Sequence, residues 1–237
     1  MLSVKNLTVQ YENKTAVDDL SIEIQNGKLT GLIGPNGAGK SSLIKTCVGM
    51  IAEYSGDILY DLKPLHKHRQ WVKENCGYAP EDTILLPYLK GHEFLQLIGT
   101  LRKSPDLQNE IAKFIRMFDL QEKTDELIIN LSHGMRQKLS IAATLIGNPR
   151  YLLFDEALNG LDSVSLYNLK NYLNELATAG STIIIASHIL TLIQDWCDPI
   201  IIMHEGRLLK HITKTEILTL ESEKKQLFER IFIEMVK

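Results

Sequence analysis

Eight residues constrain this chain more than any other stretch: Gly34-Pro35-Asn36-Gly37-Ala38-Gly39-Lys40-Ser41. They fit G-x-x-x-x-G-K-[ST] without a mismatch. The apolar run Thr30 to Ile33 precedes them, and a helical pattern from Lys40 to about Met50 follows. A strand, a glycine-rich turn and a helix in that order form a cradle for an anion. Glycines at 34, 37 and 39 let backbone N–H groups curl inward, and the helix amino terminus adds partial positive charge. Lys40 is placed to reach the β- and γ-phosphates of a nucleotide, and the Ser41 hydroxyl to ligate Mg²⁺. The spacing is not that of a dinucleotide fingerprint.

Such a loop needs a sheet behind it, and the chain supplies one. Leu2 to Tyr11, Ala16 to Ile24, Lys28 to Ile33 and Gly56 to Tyr60 read as strands, with Asn26-Gly27 as a hairpin turn signal between the second and third. Residues 90–148 read as mostly helical. Phe94, Leu97, Ile98 and Leu101 fall on one face, as do Ile111, Phe114, Ile115 and Phe118. Ser104-Pro105-Asp106 separates the two, with Pro105 suited to a helix start. Tyr151 to Phe154 and Ile183 to Ala186 read as buried parallel strands around a helix near Ser165 to Ala177. Residues 215–237 read as one amphipathic helix. The expected fold class is therefore α/β, a phosphate-loop core with an antiparallel β part and an inserted helical part. One domain of 1–237 is expected, with residues 1–87 and 149–237 as the core and 88–148 as the helical insertion.

A second chemical site closes the strand Tyr151-Leu152-Leu153-Phe154 with Asp155-Glu156. Ligands of open α/β sheets gather at the carboxyl ends of strands, which brings both acids toward the loop at Gly34. Asp155 is the candidate for holding Mg²⁺, and Glu156 for polarising an attacking water. His188 ends the next strand at the same edge, where a donor would meet a γ-phosphate.

Leu131-Ser132-His133-Gly134-Met135-Arg136-Gln137 follows the helical region, with Ser132 as a helix cap. Lying between the phosphate loop and Asp155-Glu156, this stretch makes the sequence resemble the ATP-binding-cassette ATPases, closest to their drug-exporter-type branch, over essentially the whole chain. Leu131 to Met135 is similar to the signature motif of that family, usually Leu-Ser-Gly-Gly-Gln. The resemblance implies ATP hydrolysis with Mg²⁺ by subunits paired head to tail. Ser132 and Gly134 of one subunit would then contact the nucleotide on the other's loop, residues Gly34 to Ser41 and Ser42. It further implies that Tyr11 stacks on adenine, that Asn159-Gly160-Leu161-Asp162 couples the two sites, and that His188 is a switch histidine. The partners implied are an integral membrane permease and a second ATPase subunit, identical or a close paralogue. The place implied is the inner face of the cell membrane.

Three positions depart from the family pattern. Gly77-Tyr78-Ala79-Pro80-Glu81 carries Glu81 where glutamine is usual; it still ligates Mg²⁺ or water but does not donate a hydrogen bond when ionised. His133 and Met135 vary the signature, and Ala157 replaces a proline after Glu156.

Composition narrows the partners. The 237 residues carry a net charge of −3, with no dense basic run, so no nucleic acid is expected. No apolar run approaches the ~20 residues of a membrane-spanning helix, and the start of the chain lacks a secretory core. Cys47, Cys76 and Cys197 share no metal-binding spacing and are expected as buried thiols. His66 and His68 are expected on a solvated loop, and Lys224-Lys225 on a solvated helix face. Leu227, Ile231 and Met235 are expected in core or interface. The function expected is that of an ATPase subunit powering export. An importer subunit, or a soluble cassette ATPase acting on nucleic acid or ribosomes, stands as the alternative.

Overall fold

The computed structural model describes residues 1–12, 14–83, 85–224 and 227–236. Its centre is a six-stranded sheet in the order β10-β9-β3-β8-β7-β6. The strands are β3 (Lys28–Ile33), β6 (Cys76–Ala79), β7 (Tyr151–Asp155), β8 (Thr182–Ala186), β9 (Ile200–His204) and β10 (Arg207–Ile212). All neighbours pair in parallel except β10, which runs antiparallel to β9. A second, antiparallel sheet has the order β2-β1-β4-β5. It contains β1 (Leu2–Tyr11), β2 (Lys14–Ile24), β4 (Ser55–Tyr60) and the short β5 (Lys63–Pro64).

Helix α1 (Lys40–Cys47) lies between the sheets, and alternation along each strand divides the core in two. Leu32, Leu153, Ile184 and Ile201 face α1 and the antiparallel sheet. Their chain neighbours Ile33, Leu152, Phe154, Ile183, Ile185, Ile200 and Ile202 face the other helices. This is the period-2 geometry of strands buried on both faces. On the second face lie α5 (His133–Leu145), α6 (Ser163–Thr178) and α7 (Leu190–Trp196). The segment between β6 and β7 adds α3 (Gly91–Leu101) and α4 (Leu107–Met117), while α2 (Arg69–Asn75) precedes β6.

The Asn26-Gly27 turn is present, with Gly27 at φ +76°, but it closes no hairpin. β2 pairs with β1, whereas β3 crosses to the other sheet between β8 and β9. Long-range parallel pairing overrides the local signal, because β3 buries both faces and β2 has its partner already. In α3, Phe94 and Leu95 are buried, but Leu97 and Leu101 are exposed, so the inward face is rotated from the expected one. α4 buries Ile111 and Phe114, with Phe118 just beyond it, as the pattern predicts. It starts at Leu107, two residues after Pro105. α1 ends at Cys47, three residues early.

The carboxyl-terminal region holds two helices, α8 (Lys214–Lys224) and α9 (Phe228–Val236), where a single one is expected. Ile231 is buried and Met235 packs against the core, as expected, but Leu227 is exposed and its neighbour Phe228 is buried instead. Lys225 and the Lys224 side chain lie outside the described residues. His66 and His68 are exposed, and the three cysteines are buried and free.

Arg102 ties α3 to the end of α5, and its Nη2 approaches the Cys76 carbonyl of β6 at 3.5 Å. Its Nη1 donates to the carbonyls of Ala143, Thr144 and Ile146 at 2.8–3.1 Å, capping the carboxyl end of α5. The nearly buried Glu110 accepts from the Gly147 amide and from Asn148 Nδ2, both at 2.8 Å.

Candidate functional site

The phosphate loop, Asp155, Glu156, His188 and Glu81 sit at or beyond the carboxyl edge of the parallel strands. β3, β8 and β7 are adjacent, so the loop after Ile33, the pair Asp155-Glu156 and His188 meet there. β6 leads into Pro80-Glu81 at the same edge.

The loop has no room for a side chain at Gly34 or Gly39. Gly39 caps α1 at φ +98°, and a Cβ there would lie 2.2 Å from the Ala16 carbonyl oxygen. Lys40 Nζ lies within the curl, 2.8 Å from the Gly34 carbonyl, 3.4 Å from that of Pro35 and 3.9 Å from Glu156 Oε1. Burial lowers the Lys40 pKa, opposed by the carboxylates of Glu156, Asp155 and Glu81. The ammonium is therefore a desolvated positive charge at the focus of three acids.

Asp155 is buried, and burial raises its pKa. The Ser41 hydroxyl counters this by donating to Oδ1 at 2.8 Å, as does Lys45 by its charge. The Tyr78 hydroxyl approaches the other oxygen at 3.4 Å. Glu156 follows at φ +54°, a left-handed conformation costing a non-glycine residue roughly 1–2 kcal/mol. Its amide donates to the Ala186 carbonyl at 3.0 Å. Its carboxylate meets His188, and Asn159 Nδ2 donates to Oε2 at 3.4 Å.

These groups surround an open cavity of about 450 Å³, lined by Asn36 to Ser42, Glu81, Glu156 and His188 at its base and by Tyr11, Lys14 and Ala16 at its rim. Tyr11 is half exposed, and its hydroxyl donates to Ser42 Oγ at 3.4 Å. Gly34 and Pro35 form the turn beneath, and Asp155 lies behind Ser41. Lys14 was not marked by any motif in the sequence, because β2 carries it to the rim from outside the loop. Tyr78 carries no motif of its own; its approach to Asp155 spans 77 positions and leaves no local pattern.

Ser132 and Gly134 stand apart from this cavity. Ser132 caps α5, accepting from the Met135 amide at 3.3 Å. A Cβ on Gly134 would lie 3.3 Å from the Gly160 carbonyl oxygen, so the cap packs on the loop after Glu156. The chain thus presents two separate features: an open cavity with the Lys40 ammonium among carboxylates, and an exposed helix amino terminus with a serine hydroxyl.

A family model described as ABC transporter matches residues 17–159. The uncharacterized ABC transporter ATP-binding protein YhcH of Bacillus subtilis (strain 168) is 31% identical over 210 residues, covering 88% of this chain and 68% of that protein. The lipopolysaccharide export system ATP-binding protein LptB of Escherichia coli (strain K12) is 29% identical over 232 residues, covering 94% and 95%. Among solved structures, an ATP-binding subunit of an ABC transporter superposes with a TM-score of 0.92 at 26% identity, covering 100% of both chains.

Proposed function

The chain belongs to the ABC transporter ATPases, and on that premise we propose that it is the motor of an exporter, working as a head-to-tail pair. The observation that carries this is the separation, within one chain, of the phosphate cavity from the Ser132–Gly134 cap. Each is half a nucleotide site. Two copies, or one copy and a close paralogue, placed head to tail bring the cap of one over the cavity of the other.

Within each composite site the residues divide the work. Gly34 to Ser42 wrap the phosphates through backbone N–H groups and the α1 dipole. Lys40 neutralises charge on the β- and γ-phosphates, and it gives up its carbonyl contacts to do so. Tyr11, at the rim, supplies a face for adenine, a stacking interaction of roughly 1–3 kcal/mol. Glu156 accepts a hydrogen bond from the attacking water and orients it in line with the γ-phosphorus. His188 steadies that carboxylate and donates toward the γ-phosphate. Ser132 and the amide of Gly134 come from the partner and hold the γ-phosphate from the far side.

The oxygen donors present fit magnesium. Ser41 Oγ and the Asp155 carboxylate lie together, with Glu81 lining the same cavity. Magnesium favours one or two carboxylates combined with substrate phosphates. Ser41 and Asp155, with Glu81, would hold the ion, and it would supply positive charge against the charge that develops on the phosphates.

Residues 88–148 act as the lobe that carries the cap, and residues 1–87 and 149–237 as the core that carries the cavity. Among the described residues no helix is long and apolar enough to cross a membrane; in this reading the motor engages the inner membrane face through a separate permease. Export is favoured by the relationship to an export-system ATPase and by the His133–Met135 signature. Purifying the tagged chain from its native membranes tests this reading. An integral membrane protein should accompany it, with no extracytoplasmic substrate-binding protein. Recovery with ribosomes or with such a binding protein would contradict it.

A further inference from the structure

The loop that follows Glu156 is weakly held by its own backbone and strongly held by α5. Inside it, the Asn159 amide reaches the Glu156 carbonyl, and the Leu161 amide the Leu158 carbonyl, both at a long 3.4 Å. Two ties from α5 are much shorter. Gln137 Nε2 donates to the Ala157 carbonyl at 2.6 Å, and Lys138 Nζ lies 2.5 Å from Asp162 Oδ2. Asp162 in turn caps α6, accepting from the Ser165 amide at 2.9 Å. The loop is thereby pinned at its first residue after Glu156 and at its last.

Gln137 is the informative member. Its side chain is 1% exposed, and its Oε1 is buried with no hydrogen-bond partner among the described residues. Turning the amide over would set one oxygen against another and leave the nitrogen unpaired, so the orientation is determined. A residue serving only to fill the core would be apolar here. An amide that accepts an unsatisfied oxygen to deliver one short bond to a backbone carbonyl is held for that bond.

We propose that Gln137 is a positioning residue for Glu156: it fixes the left-handed turn that aims the Glu156 carboxylate, and it makes the Ser132–Gly134 cap and Glu156 one rigid unit. The consequence depends on the head-to-tail reading above. In such a pair the cap of a chain serves the partner's nucleotide, while Glu156 of the same chain serves its own. Seating the cap on one nucleotide then sets the catalytic carboxylate at the other. α5, beginning at that cap, is the lever, and Gln137 and Lys138 are its points of attachment.

The discriminating variant is Gln137→Met, which keeps length and apolar packing but removes the donor. It leaves the Ala157 carbonyl unpaired and at the same time removes the orphaned Oε1, so the two effects on folding oppose one another. The purified chain is assayed for Mg-ATP affinity with a fluorescent ATP analogue, for kcat and KM, and for melting temperature. Affinity and melting temperature should stay near wild type, with affinity within about twofold, while kcat falls about tenfold or more, as misplacement of a reacting group produces. The double variant Gln137→Met with Glu156→Gln should still form an ATP-dependent dimer by light scattering. Wild-type kcat in Gln137→Met would overturn the positioning role. So would parallel losses of melting temperature, affinity and kcat, which indicate packing alone. Failure of Glu156→Gln by itself to dimerise with ATP would instead remove the head-to-tail premise, and the lever with it.

Discussion

His188 holds one oxygen of Glu156 from two directions: its backbone amide donates to Oε2 at 3.1 Å, and its Nδ1 lies 2.9 Å from the same atom. The ring itself is well exposed toward the cavity while the carboxylate is buried. The backbone hydrogen bond survives any substitution at 188 except proline, so what the side chain adds is separable. His188→Ala should leave ATP affinity unchanged and reduce kcat by about 10²-fold, the effect of removing one preorganised donor. Single-turnover hydrolysis with ATP binding measured in parallel checks this.

Lys40→Ala removes the charge at the centre of the cavity. Charge-assisted hydrogen bonds contribute roughly 1.5–3 kcal/mol each, so ATP affinity should fall about tenfold to a hundredfold. Folding should not suffer. Burial lowers the Lys40 pKa below its ordinary 10.5, so the native state binds this proton less tightly than the unfolded chain. The charged lysine therefore costs stability at neutral pH, and the cost fades as pH rises from the lowered value toward 10.5. Melting temperatures of the two proteins without nucleotide should accordingly converge in alkaline buffer, with the variant equal or higher at pH 7.

Asp155→Asn makes the opposite kind of test at a carboxylate. Burial raises the Asp155 pKa above 3.8, so ionising it in the native state is unfavourable. The penalty is absent below pH 3.8 and complete once pH exceeds the raised value. At neutral pH the variant should melt higher than wild type without ligand. It should also lose the further stabilisation that magnesium gives to the ATP-bound protein. Calorimetric scans with ATP plus chelator and with Mg-ATP separate the two effects.

Much of this site was legible because its residues follow one another along the chain. The loop at Gly34 to Ser41, the acids at Asp155-Glu156 and the cap at Ser132 are each contiguous, and the strand or helix beside each has a clear period. What the sequence concealed are contacts made across it. Tyr78 meets Asp155, Lys14 reaches the rim and Gln137 binds Ala157 only because parallel pairing and helix packing bring distant segments together. The same cause defeated the hairpin at Asn26-Gly27, whose turn chemistry is right but whose strands belong to different sheets. The rotated face of α3 has another origin. Leu97 and Leu101 satisfy helical spacing, yet the side chains of Leu107 and Ile146 pack directly on Gly99, which puts the glycine face inward and the two leucines outward.

Arg102 offers a test of how the inserted helices are anchored. Its Nη1 serves three carbonyls at the end of α5, and its removal would leave them without that partner. Arg102→Ala should destabilise the protein by about 2–3 kcal/mol, measured by urea unfolding. Because α5 also carries Ser132 and Gly134, the variant should lose hydrolysis more than it loses ATP binding.

The central claim is that Ser132 and Gly134 of one chain close the phosphate loop of another, and proximity across the pair tests it most directly. Asn36 lies exposed on the loop, and His133 is exposed beside the cap. The natural cysteines are all buried, leaving new thiols free to report. Chains carrying Asn36→Cys and chains carrying His133→Cys, both in a Glu156→Gln background, are mixed and treated with a short bifunctional thiol reagent. The account predicts a two-chain product joining position 36 to position 133, formed with Mg-ATP and not without it. A product that forms equally without nucleotide, one that joins like positions only, or none at all from chains that still bind ATP would contradict it.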